Sequence, residues 1–359
     1  MKWWSRIRQQ PFFIRLLNWE YWSTFSFYWP LLFYGPVLAW RSGHPCFFTA
    51  ANPSIYSGGF GLESKFLTIQ KIPERFRPKT VFAPTDAEFA GIKAQIKALD
   101  IAYPLIVKPD LGYRGLLVRK IKSEQELEVF LDKYPIDFII QEFIGYPAEF
   151  GVLYYRFPNK EKGMVTSITL KEFLKVVGNG RSTVRELVLN NARARLQLHR
   201  LETTHAHLLE TVPAKGEKVS LGIIGNHAKG TTFINGNRHI DHQLIQTFDR
   251  ISQELDGIHY GRFDIKCQSL EDLKRGQNLK ILEINGVCSE PTHIYDPTQI
   301  TYFGALGEIL KHWKIIQQIA LYNHQKGTPY MSFRHFAKAM YNLSLYFKFI
   351  RKHAGREAI

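Results

Sequence analysis

Gly261-Arg262-Phe263-Asp264-Ile265-Lys266 and, after a polar loop, Leu279-Lys280-Ile281-Leu282-Glu283-Ile284-Asn285 decide how this chain folds. Both runs alternate apolar and polar residues, the pattern of strands with one buried face. Laid side by side, they bring Asp264, Glu283 and Asn285 to one face, since residues two apart in a regular strand point the same way. Two carboxylates and an amide oxygen on a rigid sheet form a hard-oxygen site suited to Mg2+, with Mn2+ as the alternative. The competing reading is two amphipathic strands whose charges are merely solvated.

Residues upstream weigh on that choice. Pro104-Leu105-Ile106-Val107-Lys108-Pro109 reads as a short buried strand ending in a lysine. The loop Asp110-Leu111-Gly112-Tyr113-Arg114-Gly115 follows, and then a strand over 115–121. Glycines at the tip of such a hairpin let backbone N–H groups approach an anion, and Lys108 and Arg114 add positive charge beside it. A P-loop or dinucleotide fingerprint is excluded, because each needs a strand-to-helix transition here. The strand Phe138-Ile139-Ile140-Gln141-Glu142-Phe143-Ile144 then breaks at Gly145-Tyr146-Pro147. A broken strand edge beside an apolar wall offers a purine both apolar faces and an edge donor and acceptor. Glu149 is placed to accept from ribose hydroxyls; for Glu142 and Glu149 alike the plainer reading is surface solvation.

Together these pieces resemble the ATP-grasp superfamily, in particular its carboxylate–amine ligases such as D-alanine–D-alanine ligase and the ATP-grasp portion of cyanophycin synthetase. The resemblance covers roughly residues 61–300 and implies an α+β fold in which two α/β lobes clamp ATP. It implies that Lys65 and Lys108 are nucleotide lysines and that Gly112, Tyr113, Arg114 and Gly115 form the phosphate-covering hairpin. Glu142, Phe143 and Ile144 match the adenine hinge, Glu149 the ribose-binding glutamate, and Asp264, Glu283 and Asn285 the magnesium ligands. Arg262, matching the arginine beside the transferred phosphoryl group, and Lys108 are the implied catalytic residues. The run Val176-Val177-Gly178-Asn179-Gly180-Arg181-Ser182-Thr183-Val184-Arg185-Glu186-Leu187 is similar to a V-G-D-G-K-S-T-I-x-E-L run of the cyanophycin type, and Asn226-His227-Ala228-Lys229-Gly230 stands where that type has a later glycine loop. Two departures matter. The segment before Lys65 is too short and too aromatic for the usual acceptor-binding α/β domain, and Gly286-Val287-Cys288-Ser289-Glu290-Pro291-Thr292-His293 replaces the usual N-T-x-P-G-x-T. Glu290 and His293 are therefore candidates for a different substrate pocket, or for capping the next helix.

The implied reaction is ADP-forming: a carboxylate attacks the γ-phosphate of ATP, and an amine displaces phosphate from the resulting acylphosphate. The alternatives are an ATP-grasp phosphotransferase that forms no amide, and a membrane-tethered, non-catalytic nucleotide-binding module. The implied partners are small or amphiphilic carboxylates and amines.

Composition bears on the surroundings. A net charge of +15 predicts an anionic partner. Cys46, Cys267 and Cys288 show no metal or disulfide spacing, which fits a reducing, cytoplasmic compartment. Six of the seven Trp (Trp3, Trp4, Trp19, Trp22, Trp29, Trp40) precede residue 41, and residues 21–40 carry no charge. Pro30 and Pro36 interrupt that stretch, and Lys2, Arg6, Arg8 and Arg15 precede it, so an interfacial anchor on the inner face of the cytoplasmic membrane is expected rather than a span. The alternative is an aromatic cap on the protein's own core. Between Lys311 and Ile359 nine Lys/Arg face a single Glu, and residues 332–352 have the pattern of a basic amphipathic helix suited to an anionic membrane surface. Nucleic acid ranks lower as a partner, because no nucleic-acid motif accompanies the stripe.

The expected organisation is an aromatic amino-terminal region (1–60), two lobes (61–135 and 136–310) and a basic helical tail (311–359). Strands are expected at 104–108, 115–121, 137–143, 149–156 and 163–170. Helices are expected at 123–133, after Ser123 in a capping-box pattern with Glu126, and at 182–197, 241–256 and 298–321.

Overall fold

The computed structural model describes residues 10–112, 115–222 and 225–354. The α+β class is as expected, and the strands fall into two principal antiparallel sheets. The first has the order β1-β4-β2-β3 and contains β1 (Thr80–Ala83), β2 (Leu105–Pro109), β3 (Arg119–Ile121) and β4 (Phe138–Glu142). Alternation splits its residues cleanly. Val81, Leu105, Val107, Phe138 and Ile140 face a core shared with Ile92, Ile96, Leu127 and Phe130 of two helices, Phe89–Ala98 and Glu124–Lys133. Ile106, Lys108 and Gln141 face the other way, into a cleft.

The second sheet has the order β11-β10-β5-β6-β9, with β5 (Ala148–Tyr155), β6 (Met164–Glu172), β9 (Thr232–Asn235), β10 (Tyr260–Cys267) and β11 (Leu279–Asn285). Its Phe150, Val152, Ile168, Phe263 and Ile265 pack on Leu244, Phe248 and Ile251 of the helix His242–Gln253. The opposite face carries Glu149, Lys171, Arg262, Asp264 and Glu283 and lines the same cleft. A small pair, β7 (Lys175–Val177) with β8 (Lys218–Ser220), sits with short helices around its own apolar cluster.

Three expectations are corrected. Residues 138–142, assigned to the second lobe, are hydrogen-bonded between β1 and β2, so the first sheet extends to Glu142. The strand expected at 115–121 begins only at Arg119, because Gly115 and Leu117 have φ of 74° and 52°, left-handed values that take the chain out of pairing. The helix expected at 182–197 is broken into Val184–Leu189 and Ala192–Arg195, with a third, Leu198–Thr204, beyond it. Asn191 is extended, and its side chain accepts from the Ala194 N–H, capping a new helix instead of continuing the old one.

Of the amino-terminal region, Lys2, Trp3, Trp4, Arg6 and Arg8 lie outside the described residues. Phe27, Leu31 and Leu38 are buried against the helix Tyr302–Gln325 and its surroundings, whereas Phe25, Trp29, Phe33 and Trp40 are exposed. Among the described residues no helix is long and apolar enough to cross a membrane. The last helix, Phe333–Ala354, is amphipathic as expected, but its apolar side is not left free along its length. Ile350 is buried in the core of the first sheet, with Tyr346 and Phe347 beside it, and Phe336 packs against Phe48 and Phe60.

Candidate active site

Antiparallel register pairs Arg262 with Asn285 and Asp264 with Glu283, and an irregularity follows Asp264. It lets Ile281 and Ile284 both enter the core while Glu283 and Asn285 stay on the cleft side. Asn285 Nδ2 donates to Asp264 Oδ2 at 3.1 Å, leaving the amide oxygen of Asn285 to accept. Arg262 donates to both oxygens of Asp264, from Nε at 3.2 Å and Nη2 at 3.3 Å. Opposite Asp264 on β5 stands Gly151, where a Cβ would meet Thr292 Oγ1 at 3.2 Å and Asp264 Oδ1 at 3.5 Å. The missing side chain leaves room for this packing.

Lys171 of β6 completes the network. Its Nζ lies 3.0 Å from Asp264 Oδ1 and 3.0 Å from Glu149 Oε1, and Lys266 approaches the other oxygen of Glu149 at 3.6 Å. Burial alone would raise the pKa of Asp264, but Arg262 and Lys171 outweigh it and hold the carboxyl well below the ordinary range. Glu283 is likewise lowered against the effect of burial, by Lys65 and Lys108. Both carboxylates are thus anionic at neutral pH.

The first sheet supplies cations to the same place. Asp110, at the end of β2, accepts from Ser64 Oγ at 2.9 Å and the Phe66 N–H at 2.8 Å, fixing the start of the helix Lys65–Gln70. Lys65 Nζ then donates to the Gly112 carbonyl at 3.1 Å and lies 3.4 Å from Glu283. Lys108 Nζ donates across the cleft to the Leu282 carbonyl at 3.2 Å. Burial pushes the pKa of Lys108 down to about 8, with Glu283 opposing the shift.

The structure therefore brings together Lys65, Lys108, Gly112, Arg262, Asp264, Glu283 and Asn285, with Glu149 joined to them through Lys171. Gly115, Glu142, Phe143 and Ile144 line the same cleft farther along the first sheet. Lys120 Nζ sits 3.7 Å from the centre of the Phe143 ring, and the Glu142 carboxylate accepts from the Lys79 N–H at 2.9 Å. Tyr113 and Arg114 lie outside the described residues. His293 is buried with its Nδ1 2.9 Å from Ser167 Oγ, while Glu290 lines the cleft.

Lys171 escaped the sequence reading because its partners come from two other strands and no local spacing announces them. The same holds for Glu20, which accepts from Arg193 Nη2 at 2.6 Å and lies 2.9 Å from His227 Nε2 on the cleft wall. The alternation of Thr169 and Lys171 along β6 was the one available sign that this lysine points inward.

Two carboxylates and an amide are oxygen donors of the kind a hard divalent cation takes, and both Asp264 oxygens now accept from Arg262. Among the described residues no group of three or more His, Cys, Asp or Glu converges. A cation here would take Asp264, Glu283 and the amide oxygen of Asn285, leaving positions for water and phosphate, as Mg2+ favours.

No family model matches the sequence, and no curated protein matches it. Similar solved structures include the VanG D-Ala:D-Ser ligase of Enterococcus faecalis, at a TM-score of 0.42 and 12% identity over 72% of this chain. The D-alanine–D-alanine ligase of Bacillus anthracis is similar at 0.40 and 14% identity, over 73% of this chain and 70% of that one. A bifunctional glutathione synthetase of Pasteurella multocida is similar at 0.35 and 14%, over 65% of this chain. The chain covers 64% of the VanG ligase and 35% of the synthetase.

Proposed function

We propose that this chain is an ATP-dependent, ADP-forming ligase that activates a carboxylate as an acylphosphate and joins it to an amine. The observation that carries the reading is the meeting of Lys65 and Lys108 from one side with Arg262, Asp264, Glu283 and Asn285 from the other, across one cleft. Polyphosphate chemistry asks for that arrangement: cations to grip the phosphates, and anionic oxygens to hold a divalent ion beside them. Mg2+ bound by Asp264, Glu283 and Asn285 would neutralise phosphate charge. Lys65 and Lys108 hold the non-transferred phosphates, and Arg262, kept rigid by its two bonds to Asp264, stabilises charge on the transferred phosphoryl oxygens. Ile106, Phe143, Ile144 and Leu282 line the same cleft and would give the nucleotide base its apolar contacts. The segment between β2 and β3, entered at Gly112 and left at Gly115, would cover the phosphates and exclude water from the acylphosphate.

An ADP-release screen with paired acids and amines, read by mass spectrometry, tests this. Dependence on both an acid and an amine, with an amide product, is expected. Asp264→Asn should lower turnover by more than about a hundredfold. A phosphorylated product with no amine dependence would select phosphotransfer instead, and near-normal turnover in Asp264→Asn would remove the metal assignment.

A further inference from the structure

The cleft is larger than its proposed nucleotide requires. Its volume is about 2380 Å³, whereas sites for small ligands run to roughly 300–1,000 Å³. Its lining includes the chain beyond β11, from Val287 to Glu290. There the chain is pinned against Gly58 and Gly59: the Val287 and Cys288 N–H groups donate to their carbonyls at 3.1 Å each. Ser289 folds back on Gly286, its N–H donating to the Gly286 carbonyl at 2.9 Å, and so fixes the position of Glu290.

Glu290 faces an aromatic corridor. One of its oxygens accepts from the Tyr28 hydroxyl and the other from the Tyr295 hydroxyl, the latter at 2.5 Å. Tyr28 stacks on Trp313 with the rings 5° from parallel and 6.1 Å apart. The same cavity is lined by Trp22, Phe25 and Trp29. Phe25 is 72% exposed and Trp29 is 56% exposed, so the apolar wall continues to the protein surface.

We infer that this arm is the acceptor subsite and that it binds an amphiphilic amine, with the ammonium on Glu290 and an apolar body along Tyr28, Trp313, Trp29 and Phe25. The inference rests on the ligase reading for its role and deepens it by naming the amine. Charge selects the occupant. A carboxylate held by two phenols keeps lone pairs for an ammonium and repels a second carboxylate, and aromatic faces favour cations over anions. Position selects it too, because Thr292, two residues beyond Glu290, sits beside Asp264 and Arg262 at the Gly151 gap. An amine anchored on Glu290 therefore lies on the phosphoryl side of the corridor, with its tail directed outward.

The test uses the full-length protein without nucleotide and four probes below their micellar concentrations: dodecylamine, butylamine, 1-dodecanol and dodecanoate. Binding is read from the fluorescence of the corridor tryptophans and by calorimetry. Dodecylamine should bind at least about tenfold tighter than each of the other three. Glu290→Gln should bring dodecylamine down to the affinity of 1-dodecanol, whose own binding stays unchanged. Phe25→Ser, at an exposed position, should weaken dodecylamine and leave butylamine unaltered, which keeps the test decisive if Glu290→Gln folds poorly. Equal binding of dodecylamine and dodecanoate, or an undiminished amine preference in Glu290→Gln, would overturn the proposal. The two readings fail separately: amine binding without ADP release under any acid–amine pair counts against the ligase alone, and ADP release without the dodecylamine preference counts against the corridor alone.

Discussion

Lys171→Met removes the ammonium that bridges Glu149 and Asp264 at 3.0 Å from each. The lysine side chain is 4% exposed, and the two carboxylates are 7% and 15% exposed. Each contact has a Coulomb attraction of about 5.5 kcal/mol at an effective dielectric near 20, against which the desolvation of the ammonium must be set. Breaking a buried pair by deleting one partner typically costs about 3–5 kcal/mol. Here the lower end applies, since Asp264 keeps Arg262 at 3.2 Å and Glu149 keeps Lys266 at 3.6 Å. For 359 residues, about 3 kcal/mol corresponds to a fall of roughly 4 °C in melting temperature. Calorimetry in EDTA should show that fall. In excess Mg2+ with ADP the difference should narrow, because a bound divalent cation places positive charge beside the same carboxylates and stabilises the folded state by mass action. An unchanged melting temperature in EDTA, or an equal loss in both conditions, would mean that the Lys171 ammonium does not hold the two carboxylates together.

Lys108 is expected to make ADP binding fall as pH rises. With the pKa at about 8, the cation is present below that value and lost above it, so affinity should drop about tenfold between pH 7 and 9; in Lys108→Met the titration should be weak and flat. His312, buried beside the Tyr260 hydroxyl at 3.1 Å, has its pKa pushed down by burial to about 3. The unfolded chain takes up that proton near pH 6.5 and the folded chain does not, so stability is complete above pH 6.5 and falls toward pH 3 by up to roughly 1.4 kcal/mol per unit. His312→Leu should flatten the acid limb of a melting-temperature profile, and identical slopes would contradict this. At Gly59, with φ of 86°, a Cβ would come within 2.5 Å of the Gly286 Cα. Gly59→Ala should therefore cost at least about 1–3 kcal/mol in urea unfolding and disturb the exit of β11.

Much of the site was legible because its chemistry lies on strands whose alternation is strict. Alternation puts Asp264 on one strand and Glu283 and Asn285 on the next on a shared face once the strands lie side by side, and the register pairs Asp264 with Glu283. Lys108 was readable as the polar end of an apolar run. What stayed hidden depends on contacts between segments remote in sequence. Lys171 reaches Asp264 from 93 positions away, and Glu20 meets Arg193 across 173. The ownership of 138–142 was misread for a related reason: an antiparallel strand joins whichever edge is open, and no residue within it names the neighbour. The break at Asn190-Asn191 was local and could have been seen, since an asparagine within a helical pattern is a capping residue as readily as an interior one.

The helix Phe333–Ala354 has a mechanical consequence. Near its carboxyl end Ile350 is inserted among the residues of the first sheet, and near its amino end Phe336 and His335 engage Phe48, Phe60 and Tyr56 beside the second. A rod seated at both ends acts as a strut between the halves of a jaw. Parting the two sheets would bend that rod or unseat one of its ends.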